Sequence, residues 1–268
     1  MRRQPELQSV MADIPALADA RVLQELAGGS VSDSWLVEKH GKRLVVRMDT
    51  PLARKLGLDR PGELRVLETV AAAGIGPDLI WADPAAGVLV TAYIPGPVWS
   101  DKSMLDLAGL ERLAGTLHRL HSLPAAVAPD FTPAQAALTY ARGIGTPAAV
   151  ELAENVVRLA SQLLAPGHRR SLCHNDLVYS NIIDSDPVRL IDWEYAAVGD
   201  PLFDLAVVVR HHQLPDAVAQ GFLRACLGLL DAQTSQRFNA FCDLYDLLSA
   251  LWHMTVNKET KVAAEVYV

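Results

Sequence analysis

His174, Asp176, Asn181 and Asp192 are the side chains in this sequence whose types and spacing suit one reaction. The first three fall in Cys173-His174-Asn175-Asp176-Leu177-Val178-Tyr179-Ser180-Asn181, which reads H-N-D-x-x-x-x-N. The fourth falls in Leu190-Ile191-Asp192-Trp193-Glu194-Tyr195. Transfer of a terminal phosphoryl group to an alcohol needs positioning and charge neutralisation more than covalent chemistry. A carboxylate must reach the attacking hydroxyl, orient it and accept its proton late in the reaction, and Asp176 is the candidate. Magnesium prefers hard oxygen ligands and keeps several waters, so one or two protein groups suffice. Asp192 offers a charged oxygen and Asn181 a neutral amide oxygen. His174, two residues before Asp176, is placed to orient the loop by hydrogen bonding. A lone Asp or Asn in a loop is commonly a turn or cap residue, so the joint spacing carries the case. No G-x-S-x-G, H-E-x-x-H or Walker A sequence offers a rival chemistry.

The elements around these residues must bring them together. Ile182-Ile183 and Val188-Arg189-Leu190-Ile191 are β-rich runs on either side of the turn Asp184-Ser185-Asp186-Pro187. Asn181 and Asp192 then sit at the ends of two hairpin strands, where they can share one ion. After Gly199-Asp200-Pro201 the pattern is helical over residues 205–212, 216–230 and 235 to about 255, the last carrying Tyr245, Leu248, Leu251 and Trp252. Upstream, Leu110, Leu113, Leu117 and Leu120 mark a helix over 105–123, and Leu152, Val156, Leu159 and Leu163 another over 150–164. Residues 124–147, rich in Ala and Pro, read as a linker or irregular insertion.

The first third of the chain is β-rich. A short helix is expected over 14–26, with Asp13 as N-cap and Pro15 in its first turn. Gly28, Gly29 and Ser30 open a Gly/Ser loop that either lays N–H groups over a polyphosphate or is a plain hairpin turn. Residues 42–49 alternate as a strand, with Arg47 its internal basic residue: either a phosphate-holding charge or a solvated arginine on an edge strand. Residues 62–73 are helical in pattern, and Glu63, ahead of Glu68, is the expected partner of Arg47. The run 87–94 is a strand, stopped by Pro95-Gly96-Pro97. The lobe boundary is expected there, giving an N-terminal lobe 1–94 and a C-terminal lobe 95–268, long enough together to share a cleft.

Composition narrows the class. The chain of 268 residues has a net charge of −7, which disfavours a nucleic-acid partner. Cys173, Cys226 and Cys242 form no C-x-x-C pair and read as reduced thiols in a cytoplasmic protein. No apolar run reaches membrane-spanning length, and no h-region follows Arg2-Arg3, so neither a membrane partner nor a secretory leader is expected.

His174-Asn175-Asp176-Leu177 with Asn181, Ile191-Asp192-Trp193-Glu194-Tyr195, and Gly199-Asp200-Pro201-Leu202-Phe203-Asp204-Leu205-Ala206 together resemble the choline kinase, thiamine kinase and aminoglycoside phosphotransferase superfamily. Leu89 to Gly96 resembles its strand-to-hinge segment and Leu117-His118-Arg119-Leu120-His121 its helix ending in Leu-His. The resemblance implies an α+β, bilobal protein-kinase-like fold, with a small β-rich N-terminal lobe and a larger helical C-terminal lobe. It implies ATP and Mg2+ as cofactors, Asp176 as base, Asn181 and Asp192 as metal ligands, and Asp204 as a brace for the catalytic loop. It also implies nucleotide contacts from the glycine loop, Arg47 with Glu63, and the hinge backbone at Tyr93 and Ile94. Asp192-Trp193-Glu194 departs from the D-F-G of protein kinases, and the A-P-E segment is missing, so the acceptor is expected to be a small molecule. D-W-E-Y resembles the choline and thiamine kinases more than the aminoglycoside enzymes. A cationic alcohol suits an aromatic cage with acidic help; Glu194, Tyr195 and Trp252 are its candidates, Trp252 being equally readable as core. An aminoglycoside or sugar acceptor, or an idle nucleotide-binding regulator, are the alternatives.

Overall fold

Five antiparallel strands in the order β1-β2-β3-β5-β4 form the sheet of the first third of the chain. The structure is a computed structural model that describes residues 4–26, 29–164, 167 and 170–266. Its Cα framework separates into two units, Met1–Pro95 and Gly96–Val268. In the first, helix α1 (Gln4–Asp13) and a 3-10 turn (Pro15–Leu17) precede β1 (Arg21–Glu25), β2 (Ser32–Lys39) and β3 (Lys42–Asp49). Helices α2 (Pro51–Leu56) and α3 (Arg60–Ala72) follow, then β4 (Leu79–Asp83) and β5 (Val88–Ala92).

The hydrophobic alternation of β3 decides what each sheet face meets. Leu44, Val46 and Met48 are buried with Trp35, Val37, Val88 and Val90 against Leu7, Met11, Ile14 and Leu17. This packing overturns the helix expected over residues 14–26. Asp13 closes α1, Asp19 takes a positive φ of 64°, and residues 21–25 pair with β2 from Arg21↔Glu38 to Glu25↔Trp35. Backbone pairing to an available strand edge outweighs a weak local helical pattern. The β2–β3 connection is a two-residue turn, His40 and Gly41, both at positive φ, the geometry that matches strand twist.

The second unit is helical. It comprises a 3-10 turn (Ser103–Leu105), α4 (Leu107–Leu120), a 3-10 turn (Ala125–Val127), α5 (Pro133–Ile144), α6 (Pro147–Leu163), β6 (Ser171–Cys173) and a 3-10 turn (Tyr179–Asn181). Then come β7 (Ile182–Ile183), β8 (Arg189–Leu190), β9 (Ala197–Gly199), α7 (Pro201–His211), α8 (Asp216–Leu227) and α9 (Ala232–Val266). Strand β7 pairs antiparallel with β8, and β6 with β9. The leucine stripe of α4 is wholly buried.

Two expectations are corrected here. Residues 124–147 are no irregular insertion: α5 starts at Pro133, buries Ala137, Ala141 and Ile144, and ends at Gly145 with φ 75°. Ala137 and Ala141 in the middle of its buried face are small, which lets the helix pack closely on α6 and α9 but leaves little hydrophobic signal to read. The last helix does not stop near residue 255; its backbone continues to Val266. Among the described residues, no helix is long and apolar enough to cross a membrane.

Candidate active site

The loop between β6 and β7 is held from beneath by one buried carboxylate. Asp204, in the first turn of α7, is fully buried. It accepts the backbone N–H of His174 at 3.1 Å and that of Asn175 at 2.7 Å. His121, at the end of α4, donates its Nε2–H to the same carboxylate at 2.8 Å. His121, Cys173 and Asp204 are grouped closely enough to share a metal, but the carboxylate is already engaged by three donors and the site is a brace.

His174 is itself wholly buried, its ring centroid 4.5 Å from that of Trp193 and tilted against it by 53°. Its Nε2 lies 3.0 Å from the Ile191 carbonyl, which can only accept, so the proton is on Nε2. Its Nδ1 then accepts the Asp176 N–H at 3.3 Å. Burial drives the His174 pKa down, against the opposing pull of Asp204, the Ile191 carbonyl and Asp192. A neutral imidazole thus ties Asp176 to the strand leading to Asp192. Asn175 sits at φ 65°, a backbone region asparagine tolerates, and donates its amide to the Tyr195 carbonyl at 2.9 Å.

Asn181 and Asp176 face each other across the loop. The Asn181 Nδ2 group donates to Asp176 Oδ2 at 2.8 Å and to the Asp176 carbonyl at 2.9 Å. The Asn181 carbonyl accepts the Ile191 N–H at 3.0 Å, bringing Asp192 alongside. The Asp176 pKa is pushed up to about 7, chiefly by burial and then by the Asp192 charge, while Asn181 opposes the rise. Because the Asn181 nitrogen is engaged by Asp176, its amide oxygen is the end left for a cation. With the Asp192 carboxylate it makes a hard, all-oxygen donor pair, a set that fits Mg2+.

Aromatic side chains gather around Asp176. The Tyr140 hydroxyl is pushed up to about 12 by burial, then by Asp176 and Glu194. That of Tyr195 goes well above its ordinary value through burial, Glu194, Tyr140 and Asp176, with the Trp252 indole opposing. Burial pushes Tyr245 up to about 12 as well; Ser249 opposes this and Asp176 adds to it. Glu194, Tyr195 and Trp252 are therefore brought together, with Trp252 half-buried. Tyr140 and Tyr245 join them unforeseen. Tyr140 lies in the stretch read as a linker; the helical cues there are Pro133 at its start, Ala137, Ala141 and Ile144 on one face, and Gly145 at its end.

In the first unit, Arg47 and Glu63 form a buried pair. Arg47 Nη2 donates to Glu63 Oε2 at 2.6 Å, and Nη1 lies 2.6 Å from Oε1. Glu68 is exposed. Gly28 lies outside the described residues. Gly29 and Ser30 are exposed in the β1–β2 turn, whose Ser30 carbonyl accepts the Thr50 hydroxyl at 2.9 Å. The Tyr93 N–H is engaged by the Arg43 carbonyl at 3.1 Å, so Tyr93 has no N–H to offer a base. Ile94 makes no backbone hydrogen bond among the described residues.

Comparison with known proteins places this geometry. Residues 22–241 match the model of the phosphotransferase enzyme family. Protein LicA of Haemophilus influenzae is 24% identical over 204 residues, 73% of this chain, and the match spans 60% of that relative's length. The crystal structure of choline kinase LicA from Streptococcus pneumoniae has the same fold, with a TM-score of 0.77 over 97% of this chain and 92% of that one at 22% identity. So has LicA in complex with AMP, with a TM-score of 0.74, 23% identity and coverage of 96% and 89%. The α+β, protein-kinase-like architecture is shared, and the chain belongs to the phosphotransferase enzyme family.

Proposed function

We propose that this chain is an ATP-dependent kinase of a small cationic alcohol, choline or ethanolamine first and thiamine next. The observation that carries the reading is the set of side chains near Asp176: Tyr140, Tyr195 and Tyr245 with the Asp192 carboxylate, and Trp252 and Glu194 beside Tyr195. Aromatic faces attract an ammonium group through their quadrupole, and nearby carboxylates add charge complementarity. The solved LicA structures, named for choline kinase and for an AMP complex, support the same acceptor class and an adenine nucleotide.

In this reading Asp176 Oδ accepts a hydrogen bond from the acceptor hydroxyl and takes its proton as the new O–P bond forms. The bond between the γ-phosphorus and its bridging oxygen breaks, and ADP leaves with the electron pair. Asn181 keeps the Asp176 carboxylate aimed, and His174 holds its backbone. Asn181 and Asp192 would hold Mg2+, which when bound neutralises charge on the phosphates. Residues 1–94 serve the nucleotide: Gly28, Gly29 and Ser30 its phosphates through backbone N–H groups, Arg47 with Glu63 its phosphates through charge, and the Tyr93 carbonyl with the Ile94 backbone its base. Residues 95–268 serve the acceptor and the metal.

The test is ADP release by the purified protein with Mg·ATP and, in turn, choline, ethanolamine, thiamine, a hexose and an aminoglycoside. Turnover dependent on choline, ethanolamine or thiamine is the expected result. Turnover only with the sugar or the aminoglycoside overturns the acceptor class. Nucleotide binding without turnover on any acceptor makes the protein a nucleotide-binding regulator.

A further inference from the structure

Arg47 and Glu63 do not stand alone. Arg60, at the start of α3, places its guanidinium between two carboxylates. Its Nη1 donates to Glu63 Oε2 at 2.8 Å. Its other edge is bidentate on Asp49, Nη2 to Oδ1 at 2.6 Å and Nε to Oδ2 at 3.0 Å. All four side chains are buried or nearly so. Asp49 ends β3 two residues after Arg47 and runs beneath Gly87. A Cβ at that glycine would stand 2.7 Å from Asp49 Cβ and Oδ2, and Gly87 has φ 69°. A side chain there would push Asp49 off Arg60.

The consequence lies at one atom. Glu63 Oε2 has two donors, Arg47 Nη2 and Arg60 Nη1. When Arg47 turns an N–H toward a phosphate, a buried carboxylate oxygen with a single donor would be stripped, and such an orphan opposes the movement. With Arg60 clamped by Asp49, Oε2 keeps a partner throughout. Burial raises the Glu63 pKa, but Arg47 and then Arg60 together hold it below the usual carboxylate range, and the Arg60 guanidinium stays on the carboxylate when Arg47 moves.

We infer that Arg60 and Asp49 are positioning residues for nucleotide binding, which let Arg47 exchange a Glu63 contact for a phosphate contact. The inference rests on the proposal that Arg47 meets the nucleotide phosphates. A lysine at position 60 keeps the charge but cannot engage both carboxylates through a planar fork.

The test is a double-mutant cycle read by calorimetric titration of Mg·ATP, which needs no acceptor. Arg60→Lys should weaken ATP binding roughly tenfold, with thermal melting within a few degrees of the parent. Arg47→Ala should weaken it at least as much. Arg47→Ala combined with Arg60→Lys should bind like Arg47→Ala alone, since Arg60 acts through Arg47. Should Arg60→Lys not fold, the isosteric Asp49→Asn takes its place in the cycle. Unchanged ATP binding in Arg60→Lys, or two effects that simply multiply, overturns the positioning role. Unchanged binding in Arg47→Ala overturns the underlying phosphate assignment instead, so the two failures are distinguishable.

Discussion

Asn181 points one amide nitrogen at both the carboxylate and the carbonyl of Asp176, at 2.8 and 2.9 Å. The contact fixes the rotamer of Asp176 and the path of the loop carrying it. It also holds the amide's other end, its oxygen, away from Asp176. In the proposed function one residue thereby aims the base and presents a metal ligand, and a neutral amide at position 181 suits both: a carboxylate there would repel Asp176 and Asp192 together.

Asp176→Asn should lower kcat by about 10²–10⁴-fold, the range for loss of a positioned general base. Asn keeps the shape and can still meet Asn181, so the KM for ATP should stay within about threefold. Steady-state kinetics with each substrate varied will show this. A kcat near the parent's would remove Asp176 from the role of base.

Asp204→Asn should destabilise the fold by about 2–4 kcal/mol, because an amide cannot accept from the His174, Asn175 and His121 donors together. Urea denaturation followed by circular dichroism measures the change. A loss under about 0.5 kcal/mol, the size of an ordinary surface substitution, would mean the loop is held by other contacts.

Trp252→Ala should raise the KM for a cationic acceptor about 2–30-fold, the span of a cation–π contact from exposed to desolvated. Tyr140→Phe keeps the ring and should change it less. The KM for ATP should move by less than twofold in both. An unchanged acceptor KM in a folded Trp252→Ala protein would make that indole a packing residue.

The residues proposed to do chemistry were legible in the sequence where the chain keeps them close. His174, Asp176 and Asn181 precede one short hairpin and Asp192 follows it, so spacing alone predicts their meeting, and the structure brings them together. Tyr140 was not legible, because α5 is built on small alanines that pack without a wide apolar stripe. Arg60 was not legible for another reason. A charged residue in a first helical turn reads as solvated, and its burial follows from Asp49 arriving at the end of β3 and from Glu63, one turn along the same helix, being paired with Arg47 of β3. The strand at residues 21–25 was misread as helix for the same cause: its pattern is weak, and the edge of β2 decides it.

Stability should fall as pH drops from about 6.5 toward 4, because two histidines are held neutral in the fold, His174 wholly buried and His212 half-buried. His212 donates Nε2–H to the Leu177 carbonyl at 3.1 Å, and its Nδ1 is buried with no hydrogen-bond partner among the described residues. Burial brings its pKa down to about 4; the Leu177 bond opposes this, His211 adds to it and Asp101 opposes it. The His174 pKa is also lowered, mainly by burial. A histidine whose folded pKa lies below its unfolded value near 6.5 binds its proton first in the unfolded chain. Its contribution is therefore intact above pH 6.5 and is lost progressively below it, down to about 4 for His212. The midpoint of urea unfolding should decline across that window. His212→Asn, which keeps a side-chain N–H donor but does not titrate, should flatten the decline. An equal slope in parent and variant would show that His212 is as easily protonated in the folded protein as in the unfolded chain.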